Sequence, residues 1–262
     1  MTRYLRLFGV QLRVSVAQAM AYRANFLVSG AMALAQIALT LVPLIVLFDQ
    51  REQVGDWTAP DMLVVIAYFI GVKAVLEGVV SPSIQDLVQR IRDGSFDYVL
   101  LKPVDAQAMI SASRYEPWNV FDFVGAIAIA IYAFVRRGSA PGPAEIAAGL
   151  GLFVAGVLAM YSLWVTCAAA AFWIGRLDNL QWLLGAIFDT ARWPVQVFRG
   201  AWRIVFTFLI PVAIMTTFPA MALLGRLDVE TALATIGGAL VMLALSRLVW
   251  RAAIRNYTSA SS

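Results

Sequence analysis

From Phe26 to Phe48 the chain runs for 23 residues without a formal charge. A helix rises about 1.5 Å per residue, so roughly 20 apolar residues cross the hydrocarbon layer of a bilayer. Several further runs of the same kind follow, joined by short polar segments. The 262 residues are 61% apolar and only 14% charged, with a mean hydropathy of +0.78, a balance far from that of a soluble domain. The reading is a single all-α integral membrane domain over 1–262 with six transmembrane helices.

Residues Tyr4 to Arg23 put Leu5, Phe8, Leu12, Val16 and Ala19 on one helical stripe, with Arg6, Arg13 and Arg23 elsewhere. This predicts an N-terminal interfacial helix over 1–24, or an amphipathic leader that extends the first span. The long apolar run begins too late for a cleavable signal, so it reads as a retained helix. The six-helix membrane domain then occupies 25–250. The first span ends in water at Asp49-Gln50-Arg51-Glu52. The second, about Asp61 to Val80, follows Pro60 and carries Lys73 and Glu77 four residues apart on one face, a costly pair to place in lipid.

From Ser81 to Tyr115 the chain turns polar. Ile84, Leu87, Val88 and Ile91 keep a helical spacing while Gln85, Asp86, Gln89, Arg90 and Arg92 fill the other face. This predicts a short amphipathic helix closed by Gly94. The third span covers about Pro117 to Val135 and the fourth about Glu145 to Trp173, with the turn formers Gly138 to Pro143 between them. Residues 180–224 are apolar but broken by Pro194, Pro211 and Pro219. The preferred division is a fifth span at Leu180 to Val197, then a proline-broken re-entrant segment, then a sixth span at Thr231 to Trp250. The alternative puts the fifth span at Trp202 to Leu224 and leaves Leu180 to Arg199 interfacial. Either way both termini lie on one side. With that side cytoplasmic, twelve basic residues fall inside (Arg3, Arg6, Arg13, Arg23, Arg90, Arg92, Lys102, Arg114, Arg176, Arg247, Arg251 and Arg255). Seven fall outside (Arg51, Arg136, Arg137, Arg192, Arg199, Arg203 and Arg226), which favours this orientation.

Little in the sequence supports chemistry in this chain. There is no histidine, and the single Cys167 sits among small residues suited to helix packing. No phosphate-binding loop and no dinucleotide glycine pattern occurs, so neither ATP by that route nor another cofactor is expected on this chain. The basic residues cluster at helix ends rather than in one patch, which points to membrane topology and membrane lipids, not nucleic acid. Glu77, Asp122 and Asp189 lie in or near spans and are candidates for a proton path. The structural alternative pairs Glu77 with Lys73 and Asp189 with Arg192, and leaves Asp122 at an interface. The element 83–105 reads either as a docking site for another protein or as a helix resting on the inner leaflet.

The run Ile91-Arg92-Asp93-Gly94-Ser95-Phe96-Asp97-Tyr98-Val99-Leu100-Leu101-Lys102-Pro103-Val104-Asp105 resembles the cytoplasmic loop of ABC-2 type exporter permeases of a six-helix bacterial subfamily. Trp193-Pro194-Val195-Gln196-Val197-Phe198, Leu209-Ile210-Pro211-Val212-Ala213 and Phe218-Pro219-Ala220-Met221 are similar to the segment before the last helix in that subfamily. The resemblance implies a permease that pairs with a second permease, identical or related, and with two ABC ATPase subunits that bind ATP and magnesium and drive export. It assigns Ser83 to Arg92 to a coupling helix, with Ile84, Leu87, Val88, Ile91, Arg92 and Asp97 as the docking residues. It also favours the re-entrant division after Val197. An amphipathic substrate would pass by alternating access at the permease interface, with Lys73 and Glu77 as its most polar wall or as a buried pair. The location implied is a bacterial plasma membrane, a reading that abundant Ala, Arg and Gly also support. An ion-gradient-coupled carrier and a non-transporting scaffold are the rival readings.

Overall fold

The computed structural model describes residues 9–11, 13–17, 23–111, 113–174, 185, 188–197, 200 and 211–257. Residues 9–11 and 13–17 are helical; of the expected N-terminal stripe only Val16 lies among the described residues. The uncharged run forms α1 (Arg23–Gln50). A two-stranded hairpin follows, β1 (Gln53–Val54) antiparallel to β2 (Trp57–Thr58), turning at Gly55 with φ +61°. α2 (Ala59–Val75) starts there, with proline in its first turn, where no intrahelical N–H bond is lost.

α2 does not stop at Val80. One π-helical turn, Leu76–Val80, carries it into α3 (Ser81–Arg92), so a single helical rod of 34 residues runs from Ala59 to Arg92. The short amphipathic helix expected as a separate element is the end of the second span. The reason lies at Pro82, which has no N–H to donate and whose ring crowds the preceding turn. The wider π turn absorbs that crowding, with the Ser81 N–H donating to the Leu76 carbonyl five residues back. The Gly78 carbonyl, which a residue other than proline at position 82 would engage, instead accepts the N–H of Glu116 at 2.8 Å.

Beyond α3 come α4 (Asp97–Leu100), α5 (Ala106–Ile110) and a 3-10 turn at Pro117–Asn119 that leads into α6 (Val120–Arg137). Gly138 closes α6 in the left-handed conformation, φ +72°. α7 (Pro143–Ala169) and α8 (Ala171–Ile174) follow, then 3-10 turns at Thr190–Arg192 and Val195–Val197. A π turn at Ala213–Thr217 runs into α9 (Phe218–Leu223), and α10 (Val229–Arg255) ends the described chain. Among the described residues five helices are long and apolar enough to cross a membrane: Leu27–Gln50, Ala59–Arg92, Pro117–Arg137, Pro143–Ala169 and Val229–Arg255. They match the expected first to fourth and last spans. Of the expected fifth span at 180–197, the stretch 190–197 holds 3-10 turns rather than one long helix, and of its alternative at 202–224 the stretch 211–224 holds the π turn and α9; 180–184, 186–187 and 202–210 lie outside the described residues.

α2 is the central rod. Two thirds of its apolar window is buried, against about a tenth for α1 and α6, because α6 packs along one side and α7, the π turn at Ala213–Thr217 and α9 along others. α10 packs along α7. The outward faces of α1, α6 and α10 keep apolar side chains such as Leu39, Ile131 and Leu240 exposed. One end of the bundle is marked by Asp61, whose side chain is 2% exposed and meets Arg226 at 3.0 Å and Arg137 at 3.6 Å. The opposite end, which carries 93–116, is marked by Phe96 packed on Phe172 and Trp250. Phe172 thus stands at the loop end and Arg226 at the other.

Backbone broken by proline at membrane depth needs partners inside the protein. Here two fully buried threonines supply them. The Thr216 hydroxyl donates to the Ala191 carbonyl at 3.0 Å, and the Thr217 hydroxyl accepts the Val195 N–H at 3.1 Å. The same turn presses on α7 at Gly156, where a Cβ would stand 3.0 Å from Met215 Cα and 3.1 Å from the Ile214 carbonyl oxygen. Backbone faces backbone there, so nothing flexible can yield. Gly156→Val should force the segments apart at a cost of roughly 1–3 kcal/mol, seen as a lower thermal midpoint of the purified protein, while the same change at open Gly151 should leave the midpoint unchanged.

Candidate functional site

Two regions gather the residues that the sequence singled out. The first lies beside the π turn. Lys73, near the end of α2, and Glu77, in the turn, place ammonium and carboxylate 3.8 Å apart, and Glu77 keeps about half of its side chain exposed. The expected pair therefore exists, and it faces a cavity of about 660 Å³. Gln36 of α1, Ser81 and Gln85 of α3, Trp164 of α7, Asp189, and Glu116 and Asn119 at the start of α6 complete its polar lining. Glu116 is held there through its backbone, by the N–H bond to Gly78; the missing side chain at Gly78 lets Asn119 and Glu116 approach. Asp189 meets Arg192 at 3.1 Å, and the Arg192 guanidinium also lies over the Phe69 ring. Asp122 is half-buried within electrostatic reach of both Lys73 and Glu77. Sequence reasoning missed Glu116, Asn119, Gln36 and Trp164; the one available signal was a carboxylate immediately before the proline that starts a span.

The second region is the 81–111 element. Ile84 and Leu87 turn inward, Leu87 fully buried, and Val88 and Ile91 are half-buried. Their cover is this chain's own α7, α5 and α8. On the outer face of α3 stand Gln85, Gln89 and Arg92. Gly94, φ +73°, turns the chain back, and Phe96 then plugs a pocket formed by Phe172, Trp250 and Tyr257, meeting all three rings edge-on. Asp97, half-buried, opens α4. Past this anchor Tyr98 and Leu101 project outward, 70% and 79% exposed.

A second anchor holds the far side of the loop. Asp105 caps α5 by accepting the Ala108 N–H at 3.0 Å, and its carboxylate is bound by Arg247 of α10. Arg247 also donates to Gln107 Oε1 at 2.7 Å, and Gln107 reaches Tyr161 of α7 at 3.2 Å. The Arg247 hydrogen bond, aided by the cap, holds the Asp105 carboxyl below the ordinary carboxylate range. A value lowered on folding means the clamp is at full strength above the ordinary carboxylate range and fades only as pH falls through the lowered value. Arg247→Ala should remove roughly 1.5–3 kcal/mol of anchoring, the scale of hydrogen bonds to a charged group, nearer the lower end because both side chains are about a third exposed. Hydrogen exchange should then rise across 97–110 and stay unchanged in 120–137.

No candidate metal site of three or more His, Cys, Asp or Glu occurs among the described residues. What the arrangement offers is a polar cavity inside a helical membrane bundle and a clamped loop with an exposed apolar tip. A family model described as ABC-2 family transporter protein matches residues 34–261. The chain belongs to the ABC-2 transporter family. It is a multi-pass membrane permease of an ABC transporter, a transport subunit of a family whose partners are in general ABC ATPases. No curated protein and no solved structure matches this ABC-2 chain.

Proposed function

We propose that this permease is the membrane half of an exporter that moves an amphipathic substrate, energised by two ATPase subunits that carry the ATP and magnesium and bind the 81–105 element. The observation that carries this reading is the clamped loop of a family member. Phe96 and Asp105 fasten the loop to α7, α8 and α10, so a push on its tip is delivered to membrane helices rather than lost in a tether. Of the docking residues, Arg92 and the half-buried Val88, Ile91 and Asp97 lie at the surface of this element, with Tyr98 and Leu101 beside them. Ile84 and Leu87 support that surface from behind.

The change of ends between Phe172 and Arg226 supports a sixth crossing in that interval, with the buried 211–223 stretch as a re-entrant segment. Both termini then lie on the loop side, which the balance of basic residues favours as the cytoplasmic one, and the abundance of Ala, Arg and Gly supports a bacterial plasma membrane. The exposed apolar faces of α1, α6 and α10 suit lipid and a second permease, identical or related.

Extraction of the chain from its native membrane in mild detergent tests the reading. A P-loop ATPase in stoichiometric amount is the expected companion, with or without a second, different membrane chain. A permease that emerges intact and alone would overturn the ATPase assignment in favour of a gradient-coupled carrier.

A further inference from the structure

The cavity beside the π turn has a charge asymmetry that neither the family nor the fold requires. Its volume, about 660 Å³, is that of a site for a drug-sized molecule. Glu77, Glu116 and Asp189 line it, and Asp122 stands within electrostatic reach. Lys73 is the cation in the lining, and Arg192 is engaged by Asp189. Four carboxylates thus face two cations among the described residues, and Glu116 has no ion pair among them. Water reaches the half-exposed Glu77 and weakens this excess, but a cleft set between helices still concentrates its field on whatever enters.

The uncharged part of the lining supports the same ligand. Trp164 and Phe188, each nine-tenths or more buried, are aromatic walls of the cavity, and aromatic faces attract organic cations while accommodating their apolar bodies. The indole N–H of Trp164 is buried and has no hydrogen-bond partner among the described residues. Glu116 and Asn119 precede α6 at the loop end of the bundle, so the acidic side of the cavity lies toward the face from which an exporter must load.

We infer that this cavity receives the cargo and that the cargo is a lipophilic organic cation, an inference that rests on the permease reading. A size-matched pair of ions isolates the sign of charge: tetraphenylphosphonium and tetraphenylborate. Equilibrium dialysis on the whole complex, extracted with its ATPase, should show saturable binding of the phosphonium and weak binding of the borate. Glu116→Gln and Glu77→Gln should each weaken phosphonium binding roughly tenfold, the scale of one charge contact. Lys73→Met should tighten it by a similar factor, because it removes the lining cation and leaves Glu77 to the ligand; a merely misfolded variant would not gain affinity. A complex that retains its ATPase yet binds both ions alike, or whose phosphonium affinity ignores all three substitutions, overturns the cargo inference and leaves the permease reading standing. Loss of the ATPase from the extract counts instead against the permease reading.

Discussion

Leu87→Asp should leave almost no folded permease in the membrane, whereas Leu101→Asp should fold as the parent does and lose its ATPase. Leu87 is fully buried within the main core, on the inner face of α3. A carboxylate there would stand within the apolar core, and buried charge is among the few changes that cost more than about 4 kcal/mol. With typical domain stabilities of roughly 5–15 kcal/mol, that loss removes much of the folded population. Leu101, by contrast, is 79% exposed, and a surface change of this kind stays within about 0.5 kcal/mol of neutral for the fold. Its effect should appear in binding alone, because a charge in a desolvated contact is far costlier than on a free surface. The check is size-exclusion yield and thermal midpoint for both variants, followed by the amount of ATPase retained. Normal yield for Leu87→Asp with selective loss of the ATPase would return the docking face to the inner side of α3.

Asp61→Ala should unfasten the end of the bundle opposite the loop. Its carboxylate accepts the Thr58 N–H at 3.2 Å as a helix cap and meets Arg226 and Arg137, joining the hairpin, α2, the end of α6 and the turn before α10. Arg226 extends the link by donating to the Asp56 carbonyl at 3.3 Å. Removing one partner of a buried pair typically costs roughly 3–5 kcal/mol. Here the arginines are about a third exposed and recover some hydration, so roughly 2–3 kcal/mol is expected from the lost charge-assisted bonds and cap together. Asp61→Asn should keep the cap and lose less. The measurement is the thermal midpoint of the three proteins in the same detergent, with the parent highest and alanine lowest. Equal midpoints for parent and alanine would show that the cluster is surface decoration.

The spans were legible because each is a one-dimensional property: a run of about 20 apolar residues has only one favourable solvent, whatever its neighbours do. The four spans before residue 175 and the last one follow from this alone, as does the pairing of Lys73 with Glu77, fixed by four residues of helical rise. The loop motif from Ile91 to Asp105 also stood out, and it supplied the family. What the pattern left open was who covers an apolar face. Ile84, Leu87, Val88 and Ile91 announce a stripe that must be buried, and periodicity is the same whether a partner or the chain's own α7 does the burying.

The remaining decisions belong to residues far apart in the chain. Pro82 reads as a helix breaker, yet the π turn before it keeps the rod continuous and hands the Gly78 carbonyl to Glu116, 38 positions later. Asp105 and Arg247, separated by 142 positions, form the clamp that ties the loop to α10. The cavity exists only because α1, the π turn, α3, α7 and the start of α6 converge. By itself the sequence determined that the chain is a helical membrane protein of this family, since solvent preference and local spacing are written along the chain. Only the tertiary structure decided which faces are covered from within, where charge gathers and what holds the loop. Those depend on distances between segments, and no local pattern encodes them.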